Sequence, residues 1–143
     1  MANRQRIIDT SLQLKDAGLV AASAAATVSA VAAVIDTGGG YTDGFVWINI
    51  TAAEVDTGDE KYTIQLQGTN TAAFGGTDIV DLAMFYLGDA TQLPGASDLT
   101  TGIVTLGFCN EFLGTIYQYI RLYTTVAGTI ATGINYEAYL TKN

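Results

Sequence analysis

The tightest constraint on what this chain can fold into is an alternation with a period of two, repeated along its length. In KYTIQLQ (61–67), Tyr62, Ile64 and Leu66 alternate with Thr63, Gln65 and Gln67. FVWINITA (45–52) sets Val46, Ile48 and Ile50 in one phase, and GIVTLGFC (102–109) does the same with Val104, Leu106 and Phe108. Successive side chains of a strand point to opposite faces, so each run yields one apolar face and one of different character. IVDLAMFYL (79–87), YQYIRLYTT (117–125) and TIATGINYEAYL (129–140) complete the set. Between the runs lie DTGGGYTDG, EVDTGDE, NTAAFGGTD and LGDATQLPGASDLTTG. The chain's 16 glycines, with Asp, Asn and Thr, supply turns that tolerate positive φ.

Seven or so short strands without a clear helix predict an all-β fold, an antiparallel β-sandwich or jelly roll in which each sheet buries one face against the other. One stretch resists the pattern. LVAASAAATVSAVAAVIDTGGG is rich in alanine, which favours helix. Val28, Val31, Val34 and Ile35 are β-branched, however, and a helix of this composition has no charged face. The reading is an extended lead-in and a strand at about 28–36. A chain of 143 residues buries roughly 68% of its unfolded surface, enough for one core. The expected organisation is an N-terminal arm over 1–20 and a single sandwich domain over 21–143.

The last two runs invite a register. TVAGT suits a turn at Val126 and Ala127 with Gly128 left-handed, forming a three-residue hairpin loop that pairs Thr125 with Thr129. Leu122 then faces Thr132, and Ile120 faces Ile134. This gathers Ile120, Leu122, Ile130 and Ile134 on the core face and puts Tyr117, Tyr119, Arg121 and Tyr123 in one outward row. Tyrosine offers broad contact area at low entropy cost, arginine stacks on aromatic rings, and both are enriched at interface hot spots. Cover by a loop or the N-terminal arm, a subunit interface and a ligand platform all remain open for that row.

Catalytic chemistry is hard to place. The chain has no histidine, which excludes His-based triads and His-containing zinc sites, and its one cysteine, Cys109, excludes thiolate clusters and internal disulfides. Cys109 reads as a small core filler. No phosphate-binding glycine motif occurs, and GGG at 38–40 beside Tyr41 reads as a turn. Asp56, Asp59 and Glu60 in VDTGDE lie too close in sequence to act as two opposed carboxylates, lack EF-hand spacing, and read as a solvated acidic turn. The expectation is no enzyme, no cofactor and no metal.

Charge narrows the partners. Charged residues make up only 14% of the chain, and the net charge is −8, which disfavours nucleic acid. Three of the six basic residues, Arg4, Arg6 and Lys15, fall in the first fifteen positions, so the N-terminus is locally basic. The opening segment has no secretory h-region, and Ala17–Ile35 is too diluted by Ser and Thr to predict a membrane span. A soluble protein made in a cytoplasm is expected.

Four features recur in an order that resembles a known family. They are AAVIDTGGG, a strand ending LQGTNTAAFGG, the Tyr/Arg strand YQYIRLYTT, and VAGTIATGI running toward the C-terminus. Together, from about Leu12 to Leu140, they resemble the capsid cement (decoration) proteins of tailed bacteriophages, of the jelly-roll type. The insertion between Leu87 and Gly102 and the alanine-rich lead-in depart from that pattern. The resemblance implies a structural virion protein, made in the host cytoplasm, that binds the outer surface of a capsid and stabilises the expanded shell by bridging major capsid protein subunits. It implies a homo-oligomer, dimer or trimer. On that reading Arg4, Arg6, Ile7, Ile8 and Leu12 form a capsid-binding arm, and Tyr117, Tyr119, Arg121 and Tyr123, or the 88–101 loop, form the subunit interface. Removing residues 1–15 is then expected to weaken shell binding and leave the fold intact. The alternatives are a carbohydrate-binding β-sandwich using Trp47 and Tyr41, another minor virion component such as a head–tail fitting, and, least favoured for want of histidines, a cupin-type enzyme.

Overall fold

The computed structural model describes residues 9–92 and 98–142. A short 3-10 turn, Thr10–Leu12, leads into β1 (Gln13–Lys15). Five two-residue strands follow: β2 (Leu19–Val20), β3 (Ala24–Ala25), β4 (Thr27–Val28), β5 (Val31–Ala32) and β6 (Ile35–Asp36). The long strands are β7 (Asp43–Ala53), β8 (Lys61–Thr69), β9 (Val80–Gly88) and β10 (Gly102–Cys109). A small hairpin, β11 (Glu111–Phe112) and β12 (Thr115–Ile116), precedes β13 (Tyr119–Ala127) and β14 (Ile134–Lys142).

These strands make an all-β, antiparallel β-sandwich. One sheet runs β1-β14-β7-β10, with β2 also on β14; the other runs β3-β13-β8-β9, with β6 also on β13. The alternation explains the core. Val46, Ile48 and Ile50 of β7 and Ile134, Tyr136 and Leu140 of β14 point inward from the first sheet. Tyr62, Ile64 and Leu66 of β8 and Ile120 and Leu122 of β13 meet them from the second. The layers are also joined by a polar contact, since Thr124 Oγ1 lies 2.6 Å from the Tyr136 hydroxyl and both residues are buried.

The structure corrects three expectations. Residues 28–36 do not form one strand. They split into β4, β5 and β6, with Ser29 and Ala30 at positive φ between β4 and β5. The sandwich also begins earlier than residue 21. β1 pairs with β14, and Leu14 and Lys15 are buried. A 1–15 truncation removes Leu14 and Lys15 from the core, so it is expected to destabilise the fold rather than leave it intact.

The third correction is topological. β13 and β14 do not pair. Thr125 lies opposite Thr63 of β8, and Ile134 lies opposite Ala53 of β7. Residues 128–133 cross from one sheet to the other. Gly128 does have positive φ (99°), but because it packs on backbone: a Cβ there would lie 2.1 Å from the Asp59 carbonyl oxygen. Gly133 (φ 89°) is as close to the Val20 carbonyl. The crossing is fixed by two carboxylates. Glu54 accepts from the backbone N–H groups of Ala131, Thr132 and Gly133, and Asp59 accepts from the N–H and hydroxyl of Thr129. These bonds hold the Glu54 carboxyl down to about 2.

Candidate interaction surface

Asn110 organises one end of the sandwich. Its side chain is fully buried at the end of β10. Oδ1 accepts from the Thr42 N–H at 2.7 Å, and Nδ2 donates to the Gly40 and Tyr117 carbonyls at 2.9 and 3.1 Å. Its own backbone bonds Thr42 and Tyr117. One amide thus ties the glycine loop and the lead-in to β13 to the end of β10, at the base of the β11–β12 hairpin. GGG is a turn, as expected: Asp36 accepts from the Gly38 N–H, and Thr37 bonds the Gln118 carbonyl.

From this anchored base the hairpin carries an apolar tip outward. Leu113 is 90% exposed, and Phe112 and Ile116 stand open beside it. The turn residues Leu113 (φ 50°) and Gly114 (φ 82°) are both left-handed. Tyr41 is also exposed, and desolvation, followed by the charges of Asp43, Cys109 and Glu111, raises its phenol. Tyr41, two carboxylates and the hairpin therefore share this end of the molecule. The sequence reading missed the hairpin because GFCNEFLGTIY reads as the end of one strand and the start of the next. FLGT, with glycine after a single intervening residue, was its signal.

The expected Tyr/Arg row forms only in part. Tyr119, Arg121 and Tyr123 are half-buried on the outer face of β13, but Tyr117 precedes the strand and is 9% exposed. Arg121 is already engaged. Its guanidinium carbon lies 4.2 Å from the Phe74 ring centroid and 5.5 Å from that of Tyr123, and Nε donates to Gln67 at 3.0 Å. Of the expected arm residues, Arg4, Arg6, Ile7 and Ile8 lie outside the described residues. Leu12 packs against the core, which removes it from a free arm. Part of the 88–101 loop, residues 93–97, is likewise outside the described residues.

The outer face of the first sheet carries Trp47, half-buried, with its ring 6.0 Å from that of Tyr139 and tilted by 51°. Asn49 donates to Glu137 on the neighbouring pair. On another side, a cavity of about 330 Å³ opens beneath the alanine-rich segment, lined by Leu19, Val20, Ala22, Ala24 and Ala25 with Lys15 and Thr124 deeper in. The Lys15 ammonium donates to the carbonyls of Asp16, Gly18 and Tyr136 at 2.8–3.0 Å. Burial pulls its pKa down.

The acidic loop is not merely solvated. Glu60 is buried and turns back on its own loop, accepting from Thr57, Gly58 and Asp59 backbone N–H groups. Burial pushes its carboxyl up, and those hydrogen bonds outweigh burial to leave it lowered. Among the described residues, no group of three or more His, Cys, Asp or Glu is placed to hold a metal, no helix is long and apolar enough to cross a membrane, and no buried side-chain polar atom lacks a partner. Comparison with protein-family models and with curated proteins finds no match.

Proposed function

We propose that this chain is a structural binding protein of the capsid-decoration kind its sequence resembles. On this reading it sits on the outer surface of a phage shell and bridges major capsid protein subunits as a homo-oligomer, with no catalytic role. The observation that carries the reading is the projecting hairpin: an apolar tip on a fully bonded base that adds nothing to the protein's own core. Such a feature serves contact with another macromolecule. The strand order, β1-β14-β7-β10 facing β3-β13-β8-β9, is the order expected of a jelly roll and supports the same resemblance. Because that fold hosts many functions, it supports the reading without carrying it.

The test is co-sedimentation of the purified protein with expanded shells and with unexpanded procapsids of the phage that encodes it. Saturable binding to expanded shells at hundreds of copies is expected. Absence of binding to both forms at micromolar protein would overturn the proposal. A head–tail fitting would instead be present at a dozen copies or fewer per particle.

A second reading, carbohydrate binding, is favoured by the Trp47–Tyr139 pair on an open sheet face, with Asn49 and Glu137 beside it. Under that reading a glycan array gives specific hits and bound sugar changes Trp47 fluorescence; a silent array removes it.

A further inference from the structure

We propose that two copies of this chain join along the free edge of β9, antiparallel about a twofold axis at Tyr86, so that the second sheet of one copy runs on into that of the other. The inference rests on the reading above, which calls for a homo-oligomer, and names its seam.

A sheet edge offers backbone groups to any incoming strand, and folds blunt it with short strands, charge, proline or bulges. The far edges of both sheets are cut into pieces of two or three residues, β1 and β2 on one and β3 and β6 on the other. β9 is nine residues long and ends its sheet. Its first half carries Asp81 and a bulge at Leu82. From Ala83 to Gly88 it has no charge, no proline and no break in register. The Asp89 N–H donates to the Glu60 carbonyl, one step past the Lys61–Gly88 pair. Bonded pairs alternate along an antiparallel ladder, so Leu87, Phe85 and Ala83 bond β8, and the N–H and C=O groups of Met84, Tyr86 and Gly88 point away from it.

The same side of the sandwich leaves apolar groups half-covered. Ile64, opposite Phe85 on β8, is fully buried, whereas Phe85 is not. Val104 and Leu106 of β10, which lies against β9, are also only half-buried. On the outer face Met84 and Tyr86 are 43% and 50% exposed. β10 is the other long edge, but its outward side chains, Ile103, Thr105 and Gly107, include one large apolar group against two here.

A second copy fits this edge because the segment is self-complementary. Antiparallel about Tyr86, the two Tyr86 rings pair across the axis, Met84 lies opposite Gly88 and Phe85 opposite Leu87, and each outward N–H meets an outward carbonyl. No charge opposes a charge, which matters for two copies of a chain at −8. Asp89 meets Ala83, and Asp81 lies past the paired run, beyond the bulge. The contact is isologous, so it closes at two copies.

The chain cannot run along this edge itself. Residues 93–97 are tied at both ends: Thr91 and Gln92 donate to the Gly58 carbonyl, on the β8 side, and Asp98 accepts from the Ala90 N–H. Five residues held in this way extend at most about 10 Å, against about 17 Å from Asp89 to Met84. Residues 1–8 precede a turn packed on β14, toward the Lys142 end of the other sheet. From there Tyr86 lies two strand spacings, one sheet spacing and about 20 Å of strand away, roughly 40 Å over the surface. Eight extended residues span about 28 Å.

The experiment is sedimentation velocity on the full chain at tens of micromolar, with two variants. Tyr86→Lys sets two ammonium groups against each other at the axis, at an exposed position that leaves the monomer folded. Ile103→Lys charges the β10 edge instead. Wild type and Ile103→Lys are expected as dimers and Tyr86→Lys as a monomer. Cysteine cross-linking in a Cys109→Ser background tests the register without charge. At the axis the two Tyr86 Cα atoms lie about 5.5 Å apart, within disulfide range, and the two Met84 Cα atoms about 13 Å apart. Tyr86→Cys is therefore expected to oxidise to a covalent dimer and Met84→Cys to stay single. A monomeric wild type, a dimer that survives Tyr86→Lys, or Met84→Cys cross-linking as readily as Tyr86→Cys would each overturn the inference. The same samples go to the shell co-sedimentation. A monomeric wild type that saturates shells defeats this inference alone, and a dimeric wild type that ignores shells defeats the functional reading alone.

Discussion

Asn110→Ala should cost this protein about 3 kcal/mol of stability. The substitution leaves the Thr42 N–H and the Gly40 and Tyr117 carbonyls without the partners they now have at 2.7, 2.9 and 3.1 Å. A buried polar group stripped of its partner costs about 1–3 kcal/mol. Gly40 sits in an exposed loop and recovers much of its loss from water, while the backbone bonds joining residue 110 to Thr42 and Tyr117 persist. Two fully costed groups and one partly rescued group give the estimate. For a domain of this length that corresponds to a fall of roughly 10 °C in Tm. Equilibrium urea unfolding followed by the fluorescence of Trp47 measures it, with the m value unchanged. Asn110→Asp provides the check on mechanism. It keeps an acceptor for Thr42 but points carboxylate oxygen at two carbonyls, so its folded pKa must rise. The folded state then holds an extra proton above the unfolded pKa near 3.9, and stability is lost as pH rises through the folded value. The Asp variant should therefore recover toward wild type as pH falls toward 4. A loss below 1 kcal/mol in the Ala variant, or an Asp variant that does not gain relative to wild type on acidification, would refute the hub.

Other consequences are independent of that site. Burial raises the phenols of Tyr62 and Tyr136 to about 12, so stability present below pH 10 should drain away between pH 10 and 12, and the absorbance titration of the tyrosines should show a late, unfolding-linked phase. At the other extreme, Glu54 is held at about 2 by the crossover N–H groups, so its contribution is complete above pH 4.5 and lost as pH falls toward 2; in Glu54→Gln that portion of the acid transition should disappear. Lys15→Met strips the Asp16, Gly18 and Tyr136 carbonyls of their common donor and should cost about 2–4 kcal/mol by urea unfolding, with the lead-in segment gaining hydrogen exchange before the sheets do.

What the sequence disclosed was faces, and what it concealed was partners. Period-two alternation correctly put Ile120, Leu122 and Ile134 inside, because burying one face fixes side-chain parity strand by strand. The same alternation is satisfied whether two strands lie side by side or face each other across a sandwich. The segregation that favoured a β13–β14 hairpin is equally what opposing sheets require. The deciding residues lie elsewhere in the chain: Glu54 and Asp59, 70 or more positions from the amides they bind, hold residues 128–133 in a crossing. A local turn rule has no access to them. The N-terminal boundary failed for a related reason, since a lysine that satisfies three carbonyls looks in sequence like one more charge of a solvated arm.

The same distinction decides which surface is built for a partner. Arg121 and its flanking tyrosines stand out in the sequence because such residues are common at interfaces. In the structure the guanidinium lies against Phe74 and Tyr123 and bonds Gln67, so the charge is already matched within the chain. A partner docking there gains only what its contacts add beyond those it displaces. The hairpin presents the opposite account. Leu113 is strained where it stands and touches little, while Phe112 and Ile116 leave apolar area in water that a partner could cover without breaking any bond in the protein. Removing apolar surface from water contributes about 25 cal/mol per Å², and the rigid base makes that gain cheap in entropy. Composition points to the tyrosine row, and energetic satisfaction points to the hairpin; the second criterion is the sounder one because it counts what each residue still lacks.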